Sequence, residues 1–160
     1  MITRKFLTAL AAAGSAALLL GALAFQFIGG LAPCHLCILQ RWPHLAAVVA
    51  GALGLSTANP FWGRLWSWAG AAGAATSSAI GVYHAGVEMK WWQGPTSCTG
   101  SGNALSGLTG ADLLSTSAPS GVVMCDQIAW SGFGISMAGW NAILSAVLVL
   151  IWLASARKKA

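Results

Sequence analysis

Four long stretches of this chain contain no Asp, Glu, Lys or Arg: Phe6 to Gln40, Trp42 to Gly63, Leu65 to Val87, and Gln127 to Ala156. Each can supply the roughly 20 apolar residues that a helix needs to cross about 30 Å of hydrocarbon. Hydrophobic residues make up 57% of the chain and charged ones 7%, with a mean hydropathy of +0.72, which excludes an ordinary soluble globular domain. The reading is one integral membrane domain over residues 1–160, an all-α bundle of four transmembrane helices near 7–28, 44–58, 65–87 and 133–153. Arg4 and Lys5 ahead of an apolar run, with small residues at Ala22 and Ala24, imitate a secretory signal. That run exceeds the usual h-region of about 7 to 15 residues. More spans follow it, so it is read as the first helix.

The net charge of +5 does not form a nucleic-acid patch, and no nucleic-acid partner is expected. It marks topology instead. With four spans, Arg4, Lys5, Arg64, Arg157, Lys158 and Lys159 fall on one side, and only Arg41 and Lys90 on the other. Basic residues concentrate in the cytoplasm, which puts both termini there and turns Glu88, Asp112 and Asp126 outward. Trp42, Trp91, Trp92 and Trp130 then form an outer interfacial belt, and Trp62, Trp66, Trp68 and Trp152 lie toward the inner one.

The one long hydrophilic segment, about 88–130, is an outer loop rich in Gly, Ser, Thr and Pro. Within it Ala104, Leu105, Leu108, Leu113 and Leu114 recur loosely at helical spacing, while Gly107 and Gly110 interrupt them. A short interfacial helix and an irregular loop resting on the surface both satisfy that pattern. Gly70, Gly73 and Gly81 give the third helix small faces for close packing.

The four cysteines all fall on the outer side: Cys34 and Cys37 after the first helix, Cys98 and Cys125 in the long loop. An even count on an oxidising face favours two disulfides. A bridge across the 26 residues between Cys98 and Cys125 restricts a long loop, worth about 3 to 4 kcal/mol, and by itself reads as structural. The tight pair restrains little chain, yet sets a nucleophile beside its resolving thiol, as redox chemistry requires. Pro33 suits a first helical position, which would place Cys34 in a first turn, where the helix dipole favours a thiolate. Cys34, Cys37 and Arg41 follow at spacings that share one helical face. At roughly 5 Å and an effective dielectric near 20, the guanidinium would favour a Cys37 thiolate by about 3 kcal/mol. An interfacial anchor is the plainer role for Arg41. Pro43 is expected to kink or restart the helix. His84 and Glu88, four apart near the outer end of the third helix, form a polar pair that is either a functional rim or simply a satisfied one. Asp126 either perturbs neighbouring Cys125 or solvates the loop. Ile38 stands where covalent haem attachment would need a histidine.

The chain resembles the disulfide bond formation protein B family of bacterial inner-membrane enzymes. The likeness is carried by Cys34-His-Leu-Cys37-Ile-Leu-Gln40-Arg41, Tyr83-His84, Pro95-Thr-Ser-Cys98, Cys125-Asp126 and Ser136-Met137-Ala-Gly-Trp140-Asn141. The resemblance implies a quinone-dependent oxidoreductase in the inner membrane, reoxidising a periplasmic thioredoxin-fold dithiol oxidase. It implies disulfides Cys34–Cys37 and Cys98–Cys125, partner attack at Cys98, transfer from Cys125 to Cys34, and release of Cys37 toward ubiquinone or menaquinone. Cys34, Cys37, Cys98, Cys125 and Arg41 would be catalytic. Cys37, Arg41, His84, Glu88, Met137 and Trp140 would bind quinone from the membrane pool, and no metal is expected. A vitamin K epoxide reductase-like enzyme is the nearest alternative, against which the Gln40-Arg41 and Ser136 to Asn141 motifs stand. A different class, a metal-binding membrane protein, would use the cysteines with His35 or His84 as soft ligands.

Overall fold

The computed structural model describes residues 3–95 and 124–158. Cys98, Asp112 and the surface-helix candidates Ala104 to Leu114 lie outside the described residues. The described residues form four helices: α1 (Arg4–Phe27), α2 (His35–Ser56), α3 (Pro60–Glu88) and α4 (Met137–Arg157). Three of them, α1, α2 and α4, are long and apolar enough to cross a membrane. Helix α3 is the longest at 29 residues, its apolar character diluted by Gly and Ser.

Every helix begins at a side-chain cap, and the caps explain where the sequence reading missed. Thr3, Asn59 and Ser136 each accept a backbone N–H of the first turn, from Phe6, Phe61 and Gly139. Asn59 with Pro60 behind it starts α3 five residues ahead of the expected Leu65, because proline fits a position whose N–H has no partner. The largest correction is α2, expected from His44 but beginning at His35. Pro43 lies inside it rather than restarting it. Its ring deprives only one carbonyl, that of Leu39, of a bonding partner, and the helix continues on both sides.

Before α4 the chain makes a two-stranded antiparallel hairpin, β1 (Ser131–Gly132) and β2 (Ile135–Ser136), with Ser131 opposite Ser136 and Gly132 opposite Ile135. Phe133 and Gly134 turn it with φ of 54° and 77°. Two positive φ values suit the right-handed twist of a tight hairpin. The hairpin takes up the residues expected to open the last helix, so α4 starts at Met137 instead of Phe133.

Helix α3 packs between α2 and α4, and α1 closes the bundle on the other side against those same two helices. Small residues allow this. A Cβ at Gly73 would meet the Pro43 carbonyl oxygen at 2.8 Å, and one at Gly81 the Ala142 backbone at 3.0 Å. Trp152, expected in an inner interfacial belt, is instead fully buried among Ala11, Ala47, Ala71, Ala74 and Leu148. Its indole occupies the space above Gly70, where a Cβ would come within 2.6 Å. Large apolar side chains such as Leu20, Val49, Leu53, Val147 and Leu150 face outward, as they do where lipid is the solvent. Trp42, Trp62, Trp68, Trp91 and Trp92 are exposed as well.

Candidate functional site

At the end of the bundle where α2 starts and α3 finishes, Cys34 serves as the N-cap of α2. Its Sγ accepts the Cys37 N–H at 3.2 Å. The proline before it therefore stands outside the helix, and Cys34 lies one position ahead of the first turn rather than within it. This geometry explains the two-residue spacing: a cap side chain naturally meets the third helical residue. The sulfurs of Cys34 and Cys37 are 2.8 Å apart, with the Cys34 thiol donating to Cys37. Both are free thiols, so the pair read from sequence as a disulfide stands here as the dithiol of that couple. Cys34 is pushed well above the usual thiol range, first by the hydrogen bond it donates to Cys37 and then by burial.

Cys125 is disulfide-bonded and fully buried. It packs in one cluster with Cys34, Leu36 and Val87, and Cys37 and Ile80 border that cluster. Three of the four cysteines, distant in sequence, thus share one apolar environment. Asp126 turns away from them to Lys90, 2.5 Å from its Nζ, which settles its role as a loop ion pair.

His84 joins the cysteines to a buried polar network. Its Nε2 lies 3.5 Å from Cys34 Sγ and 3.9 Å from Glu88 Oε1, and its Nδ1 lies 3.0 Å from Gln40 Nε2. The other carboxylate oxygen of Glu88 accepts from the Ser136 hydroxyl. Gln40 Nε2 also donates to the Leu36 carbonyl at 3.1 Å. A carbonyl only accepts, so this atom is the amide nitrogen, and His84 Nδ1 must be the acceptor of its second N–H. The proton of neutral His84 is thereby assigned to Nε2, on the cysteine side.

That assignment bears on the metal alternative. Cys34, Cys37 and His84 offer three soft ligand atoms within 4.8 Å of one another. A histidine that ligates through Nε2 needs that nitrogen bare and normally donates its other N–H to an acceptor. Here the opposite is built: Nδ1 faces a donor whose orientation the Leu36 carbonyl holds. The set fits thiol chemistry better than it fits a metal.

A cavity of about 360 Å³ opens beside these groups, walled by α1, α2, the end of α3 and the start of α4. Its volume suits a small organic ligand. Cys37, Arg41, His84, Glu88, Met137 and Trp140, all singled out from sequence, line it. Tyr83 does not; its hydroxyl donates to the Gln93 carbonyl and its ring stacks on Trp92. Arg41 departs from the expected contact with Cys37. Its Nη1 donates to Gln26 Oε1 at 2.5 Å and its Nη2 to the Ala22 carbonyl at 3.4 Å, both on α1, while Nε is buried with no partner. Gln26, Gln40, His44 and Asn141 were not singled out as site residues. The signal was present nonetheless, since an isolated polar side chain inside an apolar span is expensive unless it is used.

The comparisons agree with this architecture. The family model described as "Disulfide bond formation protein DsbB" matches residues 4–155. A protein of Albidiferax ferrireducens called disulfide bond formation protein B is 30% identical over 84% of this chain and 79% of its own length. Namesakes from Verminephrobacter eiseniae and an Acidovorax species are 29% and 28% identical over 95% and 94% of this chain, and 85% and 87% of their own. No solved structure matches. A helical membrane bundle whose buried end gathers a capping dithiol and a disulfide-bonded cysteine, matched over nearly its whole length, belongs to the DsbB family of disulfide bond formation proteins.

Proposed function

We propose that this protein is a protein-disulfide:quinone oxidoreductase, which takes electrons from a reduced thioredoxin-fold dithiol oxidase in the periplasm and passes them to membrane quinone. One observation carries the reading: Cys37 stands between a buried cysteine cluster and an apolar cavity whose polar rim includes Arg41. The partner's thiolate attacks the loop disulfide at Cys98. Its second thiol resolves the mixed disulfide, and the partner leaves oxidised, having given up two electrons and two protons. Cys125, now a thiol, attacks the Cys34–Cys37 disulfide at Cys34 and releases Cys37. Cys98 then closes on Cys125, which restores the loop disulfide and leaves Cys34 and Cys37 as the dithiol.

The site suits a quinone. Its walls are mostly apolar, and the buried Arg41 Nε has no protein partner. Bound quinone supplies a two-electron, two-proton acceptor. Cys34 holds its proton in the hydrogen bond to Cys37, which leaves Cys37, on the cavity wall, as the sulfur that delivers electrons. Arg41, braced on Gln26 and Ala22, holds fixed positive charge at the mouth without closing an ion pair with the sulfur. His84 Nε2 stands beside Cys34, and Met137 and Trp140 form the wall by which a ring would lie. Closing the Cys34–Cys37 bond gives up two electrons and two protons, the complement of that acceptor.

The orientation proposed for the protein puts both termini in the cytoplasm and all four cysteines in the periplasm. Cys34, Cys37 and Cys125 share one end of the bundle, and the helix ends bearing Arg4, Arg64 and Arg157 lie at the other. Mixing the purified protein with reduced partner and quinone tests the whole reading. Hydroquinone should appear in step with partner oxidation, and partner oxidation without hydroquinone would rule the reading out. Impermeant thiol reagents applied to reduced spheroplasts should label both cysteine pairs.

A further inference from the structure

Two turns beyond Cys37, α2 carries a second histidine that the redox reading leaves unused. His44 is buried, with 2% of its surface exposed, and it lines the same cavity. Seven residues after Cys37, it lies on nearly the same helical face, about 10 Å farther along the axis. Its environment determines where its proton sits. Gln40, oriented by the Leu36 carbonyl, turns Oε1 to Asn141 Nδ2 at 2.6 Å. Asn141 Nδ2 donates also to Ser77 Oγ, whose hydroxyl in turn donates to the Gln40 main-chain carbonyl. The remaining Asn141 atom, Oδ1, is therefore an acceptor, and it faces His44 Nε2 at 3.1 Å. Ser145 Oγ stands 3.1 Å from the same nitrogen and 3.4 Å from Asn141 Oδ1. His44 consequently carries its proton on Nε2. Its Nδ1 is left bare, and that atom is buried without a partner.

His44 lines the cavity, and a buried lone pair with no donor is costly. We propose that His44 Nδ1 accepts a hydrogen bond from the hydroxyl of the reduced ring remote from Cys37, so that the site holds hydroquinone by both ends. The proposal rests on the quinone reading above. A quinone and its hydroquinone differ at this point in one respect: the oxidised ring oxygen only accepts, whereas the reduced one donates. Against a bare nitrogen, the oxidised ring gains nothing and the reduced ring gains a hydrogen bond. His44 therefore acts as a discriminating residue that favours the reduced ring in the cavity, with Leu36, Gln40 and Asn141 acting through it as positioning groups.

The test uses full-length protein in lipid nanodiscs, labelled with ¹⁵N on its three histidines, and a short-tailed ubiquinone and its hydroquinone as probes. On adding hydroquinone, the resonance missing from a His44→Phe sample should move from the position of a bare imidazole nitrogen toward that of a hydrogen-bonded one. Quinone should leave it in place. The ratio of the two dissociation constants, read from quenching of the cavity tryptophans, should shift about fivefold against hydroquinone in His44→Phe, the worth of one neutral hydrogen bond. His44→Gln, which retains an acceptor, should recover part of that ratio. Because both ring forms are compared in each folded variant, a general loss of packing cancels. Hydroquinone that binds without moving the His44 resonance, or a His44→Phe that weakens both forms equally, overturns the inference and leaves the quinone reading intact. Failure of either form to bind the unaltered protein overturns both.

Discussion

At the end of the bundle that holds Arg4, buried hydroxyls satisfy one another; at the end that holds the cysteines, buried amides and imidazoles satisfy one another and still leave atoms over. Thr8 Oγ1 and Ser155 Oγ are 2.8 Å apart, Ser67 bonds Ser155 and the Gly63 carbonyl, and Ser155 bonds the Arg4 carbonyl. These are short side chains that tie helices together and stand apart from the cavity beside the cysteines. At the other end Gln40, His84, Asn141 and His44 reach across three helices, and Arg41 Nε and His44 Nδ1 remain unmatched beside a void. Buried polarity alone does not mark function in a membrane bundle. Buried polarity with a spare valence at a cavity wall does.

The sharpest way to break this contrast is to remove one sulfur. Cys37→Ser should abolish hydroquinone formation with reduced partner, whereas Ser155→Ala, fully buried at the far end, should leave the rate unchanged; retained turnover in the first would deny the cavity its role. Next in size, Arg41→Met should slow quinone reduction about 10- to 100-fold, the worth of a charge-assisted hydrogen bond, while disulfide exchange with partner persists. Arg41→Lys should fall between, since it keeps the charge and loses the fork that Gln26 and Ala22 hold. Stopped-flow absorbance across a quinone titration separates binding from transfer, and equal rates in all three proteins would reduce Arg41 to an interfacial anchor.

The packing core between the two ends should answer to volume rather than chemistry. Gly70→Leu forces a side chain into the fully buried Trp152 indole and should destabilise the protein in detergent by about 3 kcal/mol, the upper end for overpacking. Smallest of all, Ser67→Ala should cost about 0.6 kcal/mol, a typical figure for one interhelical hydrogen bond in a membrane protein, with no change in quinone kinetics. A kinetic effect there would erase the distinction between the two ends.

The number of spanning helices was legible in the sequence, because length and hydropathy are local properties; of the cavity lining, Cys37, Arg41, His84, Glu88, Met137 and Trp140 came with the family resemblance, and Gln40, His44 and Asn141 did not. Helix starts were less legible. The second span was expected from His44 because Pro43 suggested a kink or restart after the turn that carries Cys37 and Arg41, and a single lost backbone bond proved tolerable inside a helix packed on α3. Trp152 looked interfacial because its position near a helix end says nothing about which way the ring turns; Gly70, on another helix, decided that. The Phe133-Gly134 hairpin was missed because its strands are only two residues each, too short for any alternation to register.

By itself, then, the sequence determined that the chain must bury four helices in lipid and that a tight cysteine pair stands near the start of the second, since transfer free energy and residue spacing act locally. Only the tertiary structure decided which polar atoms meet. Arg41 reaching α1 instead of Cys37, His84 standing between Gln40 and Cys34, and His44 left with a bare nitrogen all follow from distances between side chains far apart in sequence. Hydrogen bonds are directional and act at about 3 Å, so no pattern along one chain specifies which partner a buried amide or imidazole will find across the bundle.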